Sequence, residues 1–201
     1  HRIDDGAMVT ENGRIAWIGK ATDLPNRWRN LEEQLDNSEQ VILPGFNDNH
    51  LHTAVYGDNE TYPNLTGLNE EGIVDLLRER FREVPKGELV MAFGWDYPDC
   101  PEPHKRLLDR HFPENPVALI QFSGHGAWVN SEMLAELKID ANTPDPEGGV
   151  IVRDGRGEPT GVLRDTALQP IHRQRFVELH KNRRRLRSAV ERALGHYRKF
   201  G

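Results

Sequence analysis

The sequence contains a single cysteine, Cys100, among its 201 residues. One cysteine cannot form an internal disulfide, and it excludes a zinc module built on several thiolates. No run approaches the roughly 18 to 20 apolar residues that a membrane helix needs. The formal net charge of −6 argues against nucleic-acid binding through bulk charge. We therefore expect a globular cytoplasmic protein in a reducing compartment, with no membrane or nucleic-acid partner.

From its two ends, we expect the chain to be a piece of a longer protein. The chain begins at His1 rather than at a methionine, and it ends directly after a long helical pattern. A signal peptide upstream would therefore not be visible in this sequence. We expect the active site to be divided between these 201 residues and the remainder.

The first part of the chain has the pattern of β structure. Residues 6–20 alternate apolar and polar side chains around Asn12-Gly13, and this pattern predicts a hairpin. Residues 41–46, Val-Ile-Leu-Pro-Gly-Phe, predict a short strand that is too apolar to be exposed. Polar, turn-forming residues lie between these two segments.

The remainder alternates between helical and strand patterns. Residues 68–165 read as helix, strand, strand, helix and hairpin, which together form a plausible α+β unit. From Ile171 to Phe200 apolar residues recur at helical spacing as one continuous stripe. The basic run Arg183-Arg184-Arg185 is predicted to lie on the opposite face, where a solvated surface is expected rather than a nucleic-acid site.

The sharpest chemical feature is the pair His50-x-His52, which follows the apolar segment. Residues two apart in a strand point to the same side, so both imidazoles can bind one metal ion. Two partly exposed loop histidines are the alternative interpretation. Asp48 lies two residues before His50, where it either orients a ligand imidazole or caps the turn.

Five segments resemble the amidohydrolase superfamily, in its amidohydrolase-3 subgroup of YtcJ-like and N-substituted-formamide-deformylase-like proteins. Residues 41–52, VILPGFNDNHLH, resemble the PGFxDxHxH signature, and residues 12–19, NGRIAWIG, resemble a segment of the small β domain that precedes the barrel. The subgroup is indicated by residues 94–96 (GWD), 124–131 (GHGAWVNS) and 159–163 (PTGVL).

The resemblance implies a metal-dependent hydrolase on a (β/α)8 barrel, with a composite β domain and an α+β insertion. Residues 1–40 would then be part of the small β domain, and 41–67 the first barrel strand with the metal-binding loop. Residues 68–165 would be the insertion, and 166–201 the first barrel helix leading into the second strand. Only the N-terminal portion of such a barrel is present, because a complete one needs about 250 residues.

The resemblance also assigns metal ligands. It implies that His50 and His52 hold a divalent metal, with zinc as the default. Two further histidines and a proton-shuttling aspartate are expected from later strands outside this chain. Asp165 stands where relatives usually carry a glutamate, and it is predicted as a further ligand or metal-proximal group, although its side chain is shorter.

Three residues are predicted to contact substrate. His125 lies between two glycines, where the backbone can approach a ligand closely. The resemblance suggests a pocket residue there, and a histidine that caps a turn is the alternative. Trp95 and Asp96 are predicted to line the same cleft, against a structural alternative of a buried tryptophan beside a turn aspartate.

These features predict hydrolysis of a non-peptide, amide-type C–N bond in a small molecule by metal-activated water. One alternative is a non-catalytic binding protein on the same fold, because fold does not guarantee activity. A deaminase of the same superfamily is another. A homodimer is compatible with the sequence.

Overall fold

A computed structural model of the chain describes residues 2–32, 34–37 and 39–200. The chain divides into two compact units, residues 1–46 and 47–201. In the first unit, strands β1 (Gly6–Glu11) and β2 (Arg14–Lys20) pair antiparallel. Asn12 and Gly13 both have positive φ, 51° and 73°, as a tight hairpin turn requires. The predicted hairpin is therefore confirmed.

The predicted strand over residues 41–46 is wrong for this structure. These residues have no regular secondary structure, and the side chains of Val41 and Phe46 are 83% and 78% exposed. A strand forms only where a neighbouring backbone completes its hydrogen bonds, and no strand among the described residues pairs with this segment. The described residues therefore do not form a complete barrel.

The second unit is built on a five-stranded mixed sheet in the order β3-β4-β5-β7-β6. β3 and β4 are parallel, and all other neighbours are antiparallel. The strands are β3 (Val90–Trp95), β4 (Val117–Gln121), β5 (Gly126–Val129), β6 (Gly149–Arg153) and β7 (Pro159–Asp165). All five lie inside the predicted insertion, whose relation to a barrel stays a prediction.

Helices cover both faces of this sheet. They are α1 (Thr53–Asn59), α2 (Glu70–Arg80), α3 (Lys105–His111), α4 (Ser131–Glu136), α5 (Gln169–Lys181) and α6 (Arg183–Tyr197). Val117 and Leu119 of β4 pack in one core with residues of α2 and α3. Ala118 and Ile120 pack in a second core with residues of α4 and the start of α5. The near-continuous apolar run of β4 is explained by this burial on both faces.

The long helical pattern at the end of the chain is two helices rather than one. Asn182 separates α5 from α6 with a non-helical φ of −98° and ψ of 88°, and its side chain accepts a hydrogen bond from the backbone N–H of Arg185. Residues 198–200 form a 3-10 turn, and Gly201, at the predicted start of a second strand, lies outside the described residues. Within the described part of the chain, no helix has the length and apolar character needed to cross a membrane.

Candidate metal site and polar cluster

His50 and His52 lie in the turn that leads directly into α1. Their ring centroids are 5.3 Å apart and the ring planes are nearly perpendicular, at 88°. His52 occupies the N-cap position of α1. Oδ1 of Asp48 accepts a hydrogen bond from the backbone N–H of His50 at 2.9 Å, so Asp48 caps the turn. Of the two roles predicted for Asp48, orienting a ligand imidazole or capping the turn, the structure supports the second.

The spacing of the two imidazoles suits a shared metal ion. Two imidazoles on one tetrahedral zinc, with Zn–N bonds of about 2.1 Å, place their ring centroids about 5 Å apart. The donor set of two neutral nitrogens suits zinc and other divalent transition metals alike. Among residues 2–32, 34–37 and 39–200, no group of three or more histidine, cysteine, aspartate or glutamate side chains is arranged to hold a metal. Metal binding by this pair stays a prediction, and two imidazoles alone would fill only part of a four-ligand zinc site.

A buried ion network anchors the helix that follows these histidines. Asp58, near the end of α1, has no exposed surface. Its Oδ2 accepts hydrogen bonds from Nε and Nη2 of Arg175, at 3.1 and 2.9 Å, and its Oδ1 accepts one from Nε of Arg185 at 2.8 Å. Burial alone raises the pKa of Asp58, but the two guanidinium groups outweigh it and hold the pKa below its usual value. The charge on Asp58 is thus stabilised by partners on α5 and α6.

The prediction that the basic run forms a solvated helix face is therefore wrong for Arg185. Its guanidinium turns inward to Asp58, and its side chain is only 33% exposed. Arg183 and Arg184 are exposed as predicted. The difference arises because Asp58, 127 residues earlier in the chain, presents a buried carboxylate that needs a cation.

Backbone contact also fixes α1 against α6. A Cβ added at Gly57 would lie 1.8 Å from the carbonyl oxygen of Ala189, so only glycine fits there. Nε of Arg192 donates a hydrogen bond to the carbonyl oxygen of Gly57 at 2.9 Å. Because α1 is short, these contacts lie within two turns of His52 and limit how far the start of the helix can move.

A second polar cluster lies at one end of the five-stranded sheet. β3, β4 and β7 end at this edge and β5 begins there, as their pairing directions require. The topology therefore brings together Asp96, His125 and Asp165, three residues that are far apart in the sequence. This end of the sheet gathers three of the predicted site residues.

A chain of hydrogen bonds connects the cluster. Nε2 of Gln121 donates to Oδ1 of Asp96 at 2.9 Å, and Oγ of Ser123 donates to Oε1 of Gln121 at 3.2 Å. The backbone N–H of His125 donates to Oγ of Ser123 at 3.1 Å. Nδ1 of His125 lies 3.3 Å from Oδ1 of Asp165. The side chains of His125 and Asp165 remain 77% and 57% exposed, so this end of the network is open to a ligand.

Sequence reasoning missed Gln121, Ser123 and His172. The sequence did contain a signal for this cluster, because polar residues recur at every second position across the end of β4, at Gln121, Ser123 and His125. Nε2 of His172, on α5, donates to the carbonyl oxygen of Gly124 at 3.1 Å. Burial lowers the pKa of His172, the hydrogen bond to Gly124 partly offsets this, and the nearby charge of Arg175 lowers the pKa further. His172 thus supports the loop before His125 through its hydrogen bond to Gly124.

Trp95 is placed in the core rather than on a cleft. Its side chain is completely buried, and its Nε1 donates to the carbonyl oxygen of Leu119 at 2.8 Å. Asp96 accepts hydrogen bonds from the backbone N–H of Tyr97 and from Gln121. These positions match the structural alternative for both residues, and substrate contact by either stays a prediction.

Comparison with known proteins defines the class. The profile of the amidohydrolase family (Amidohydro_3) matches residues 35–201. The chain belongs to this family, and the predicted resemblance is confirmed.

Among curated proteins, the chain is 37% identical over 166 residues to the "Putative amidohydrolase YtcJ" of Bacillus subtilis (strain 168), covering 80% of this chain and 31% of that protein. It is 33% identical over 174 residues to the "N-substituted formamide deformylase" of Arthrobacter pascens, covering 83% and 32% respectively. A solved structure of an uncharacterized metal-dependent hydrolase from Pyrococcus horikoshii OT3 matches with a TM-score of 0.48 and 23% identity, over 78% of this chain and 29% of that one. The chain thus spans about a third of the length of the curated relatives it matches.

Proposed function

We propose that this chain is the N-terminal part of a metal-dependent hydrolase that cleaves amide-type C–N bonds in small molecules. The observation that carries the proposal is the His50 and His52 pair, held at the start of α1 in a chain of the amidohydrolase family. A bound divalent metal, with zinc as the default, supplies a Lewis acid and lowers the pKa of its water toward about 7.

The roles of this chain's own residues follow from their positions. His50 and His52 would hold the metal as neutral imidazoles, and the packing of α1 on α6 supports this role by limiting the movement of the helix that follows them. In this proposal the remaining ligands and the proton-transferring base come from parts of the protein outside this 201-residue sequence. Asp165 hydrogen bonds to His125 in this structure, and its role as a further metal ligand stays a prediction.

Substrate contact is proposed at the exposed end of the sheet, through His125. The name of the Arthrobacter relative, an N-substituted formamide deformylase, favours amides over ring C–N bonds as substrates. Cytoplasmic location and a homodimer stay predictions.

Metal binding is tested first on the 201-residue chain. Zinc is titrated into protein with 15N-labelled histidines, and we expect the side-chain nitrogens of His50 and His52 to shift together. His52→Ala removes this response, and His180→Ala, at an exposed position on α5, is the matched control that keeps it. Equal responses of wild type and His52→Ala would contradict the metal assignment.

Hydrolysis is tested on the protein extended to the length of its relatives. N-substituted formamides and other secondary amides are incubated with chelated and zinc-restored enzyme, and the released amine is measured. We expect activity only with metal, and its loss in His52→Ala. Binding without turnover would replace the proposal with the non-catalytic alternative, and release of ammonia from a ring substrate would replace it with the deaminase.

A further inference from the structure

Asp165 has a strained backbone at the exposed end of β7. Its φ of 51° and ψ of −119° lie in a region that favours glycine. Such a conformation is energetically unfavourable and persists only where the surroundings enforce it, most often at functional sites. The strain therefore indicates that the position of this carboxylate matters.

The contacts of Asp165 are directed at one residue. Its backbone N–H donates to the carbonyl oxygen of His125 at 2.8 Å, and its Oδ1 lies 3.3 Å from Nδ1 of the same residue. Backbone and side chain thus both connect Asp165 to His125, although the two residues are 40 positions apart.

The loop that carries His125 is held from several sides. The backbone N–H of Gly124 donates to the carbonyl oxygen of Gln121 at 2.9 Å, and the carbonyl oxygen of Gly124 accepts the hydrogen bond from His172. Oγ of Ser123 accepts from the backbone N–H of His125. A Cβ at Gly126 would lie 2.5 Å from Oε1 of Gln121, so the next residue is closely packed as well. The imidazole of His125 therefore stands exposed on a well-supported backbone.

From this geometry we infer that Asp165 is a positioning residue, which holds His125 in the Nδ1–H tautomer and leaves its Nε2 as a hydrogen-bond acceptor for the N–H of a secondary amide substrate. A carboxylate only accepts hydrogen bonds, so Nδ1 must be the donor in this pair. In the neutral ring Nε2 then carries a lone pair, and no described residue donates a hydrogen bond to it. The inference rests on the proposed function and deepens it by naming the group of the substrate that is recognised.

The inference predicts substrate selectivity. An acceptor at Nε2 favours amides that retain one N–H, such as N-substituted formamides, over tertiary amides and esters. One hydrogen bond at an exposed site corresponds to about a 3- to 10-fold preference. The preference comes from His125 and not from the metal, so it is measurable as binding to the 201-residue chain.

The tautomer is tested by long-range 1H–15N spectra of the histidine side chains, recorded under conditions in which the spectra show neutral imidazole rings. Asp165→Gly removes the carboxylate and relieves the backbone strain, so this variant keeps its fold. Asp165→Asn retains an acceptor oxygen and the size of the side chain. We expect the Nδ1–H form in wild type and Asp165→Asn, and the Nε2–H form, which free imidazole side chains prefer, in Asp165→Gly. The Nε2–H form in wild type, or an unchanged tautomer in Asp165→Gly, would overturn the inference.

Substrate recognition is tested with two small probes. N-methylacetamide carries one N–H and N,N-dimethylacetamide carries none, and each is titrated while the Nε2 resonance of His125 is followed. We expect a saturable shift with N-methylacetamide only, weakened at least about 3-fold in Asp165→Gly and restored in Asp165→Asn. Equal shifts from both probes would refute recognition of the N–H. His180→Ala, at the exposed position on α5, should leave these results unchanged. The zinc response of His50 and His52 is recorded separately, so its absence alone would count against the hydrolase proposal and not against the role of Asp165.

Discussion

Replacing Asp58 with alanine should destabilise the second unit more than any change at a surface ion pair. The substitution removes the carboxylate that Arg175 and Arg185 share. The Arg175 side chain is only 9% exposed and lies over the rings of Tyr62 and Phe93, so it cannot reach water without local rearrangement. The perturbation therefore leaves a buried cation without its anion.

The expected loss in the free energy of unfolding follows from how deeply Arg175 and Arg185 are buried. Removing one member of a buried ion pair costs about 3–5 kcal/mol. Arg185 is one-third exposed and can turn to solvent once Asp58 is removed, so its contribution to the loss of stability is discounted. Arg175 keeps a hydrogen bond to Asn59 and lies over the ring of Phe93, 4.5 Å from its centroid. Both effects favour the lower end of the range, and we expect a loss of about 3 kcal/mol.

Urea unfolding followed by tryptophan fluorescence measures this loss, because Trp95 and Trp128 are completely buried in the same unit. With a slope of about 2 kcal/mol per M, the midpoint should fall by about 1.5 M. The matched control is Arg187→Ala, which breaks the exposed pair with Glu191 and should change the free energy of unfolding by about 0.5 kcal/mol or less. A loss below about 1 kcal/mol in Asp58→Ala would refute the reasoning that the network is buried and coupled.

The same network predicts a pH dependence. Burial raises the pKa of Asp58, but Arg185 and Arg175 more than compensate, so its pKa in the folded state is below the unfolded value. A lowered pKa stabilises the fold above the unfolded pKa, and this stabilisation is lost as the pH falls through the folded pKa. We expect unfolding curves between pH 7 and about 3 to show a steeper loss for wild type than for Asp58→Ala. Parallel pH profiles would contradict this assignment.

Three further predictions concern the same unit. Gly57→Ala should lower the free energy of unfolding by about 3 kcal/mol, because its Cβ meets the Ala189 carbonyl oxygen at 1.8 Å. The control Gly195→Ala has open space around it and should stabilise α6 by about 0.5–1 kcal/mol. Equal effects of the two substitutions in urea unfolding would contradict the close contact. Asn130→Ala should cost about 3 kcal/mol in the same assay, because its buried amide makes four hydrogen bonds to backbone groups, and a loss near zero would show that water replaces them. Burial raises the pKa of Cys100 to about 12, so at pH 8 a thiol-reactive disulfide should label it only in urea, and rapid labelling of folded protein would place the thiol at the surface.

Local sequence patterns predicted the elements whose signals are local. The Asn12-Gly13 turn specifies its hairpin because both residues tolerate positive φ. Asn69 and Asn130 cap α2 and α4 through hydrogen bonds to residues three positions later. The short strand β5 was missed because the four residues Gly126–Val129 include glycine and alanine and are stabilised by β4 and β7 on either side.

The helix break at Asn182 shows the limit of periodicity. The apolar stripe continues in register from α5 into α6, so hydrophobic spacing alone could not separate the two helices. The break is set by the non-helical backbone of Asn182 and by its side-chain cap on Arg185. Asparagine is unfavourable inside helices and favoured at N-caps, so the residue type of Asn182, and not the hydrophobic spacing, is the local signal for the break.

The sequence by itself determined the family and the hairpin, and it singled out His50 and His52 as the proposed metal-binding pair, because each of these depends on residues close together in the chain. Only the tertiary structure decided which distant residues meet. It paired His125 with Asp165 through the register of β5 with β7, and it turned Arg185 from the expected solvent face toward Asp58. The physical reason is that burial makes an unpaired charge or hydrogen-bonding group costly, and the partner that relieves this cost is chosen by the fold rather than by proximity in the sequence.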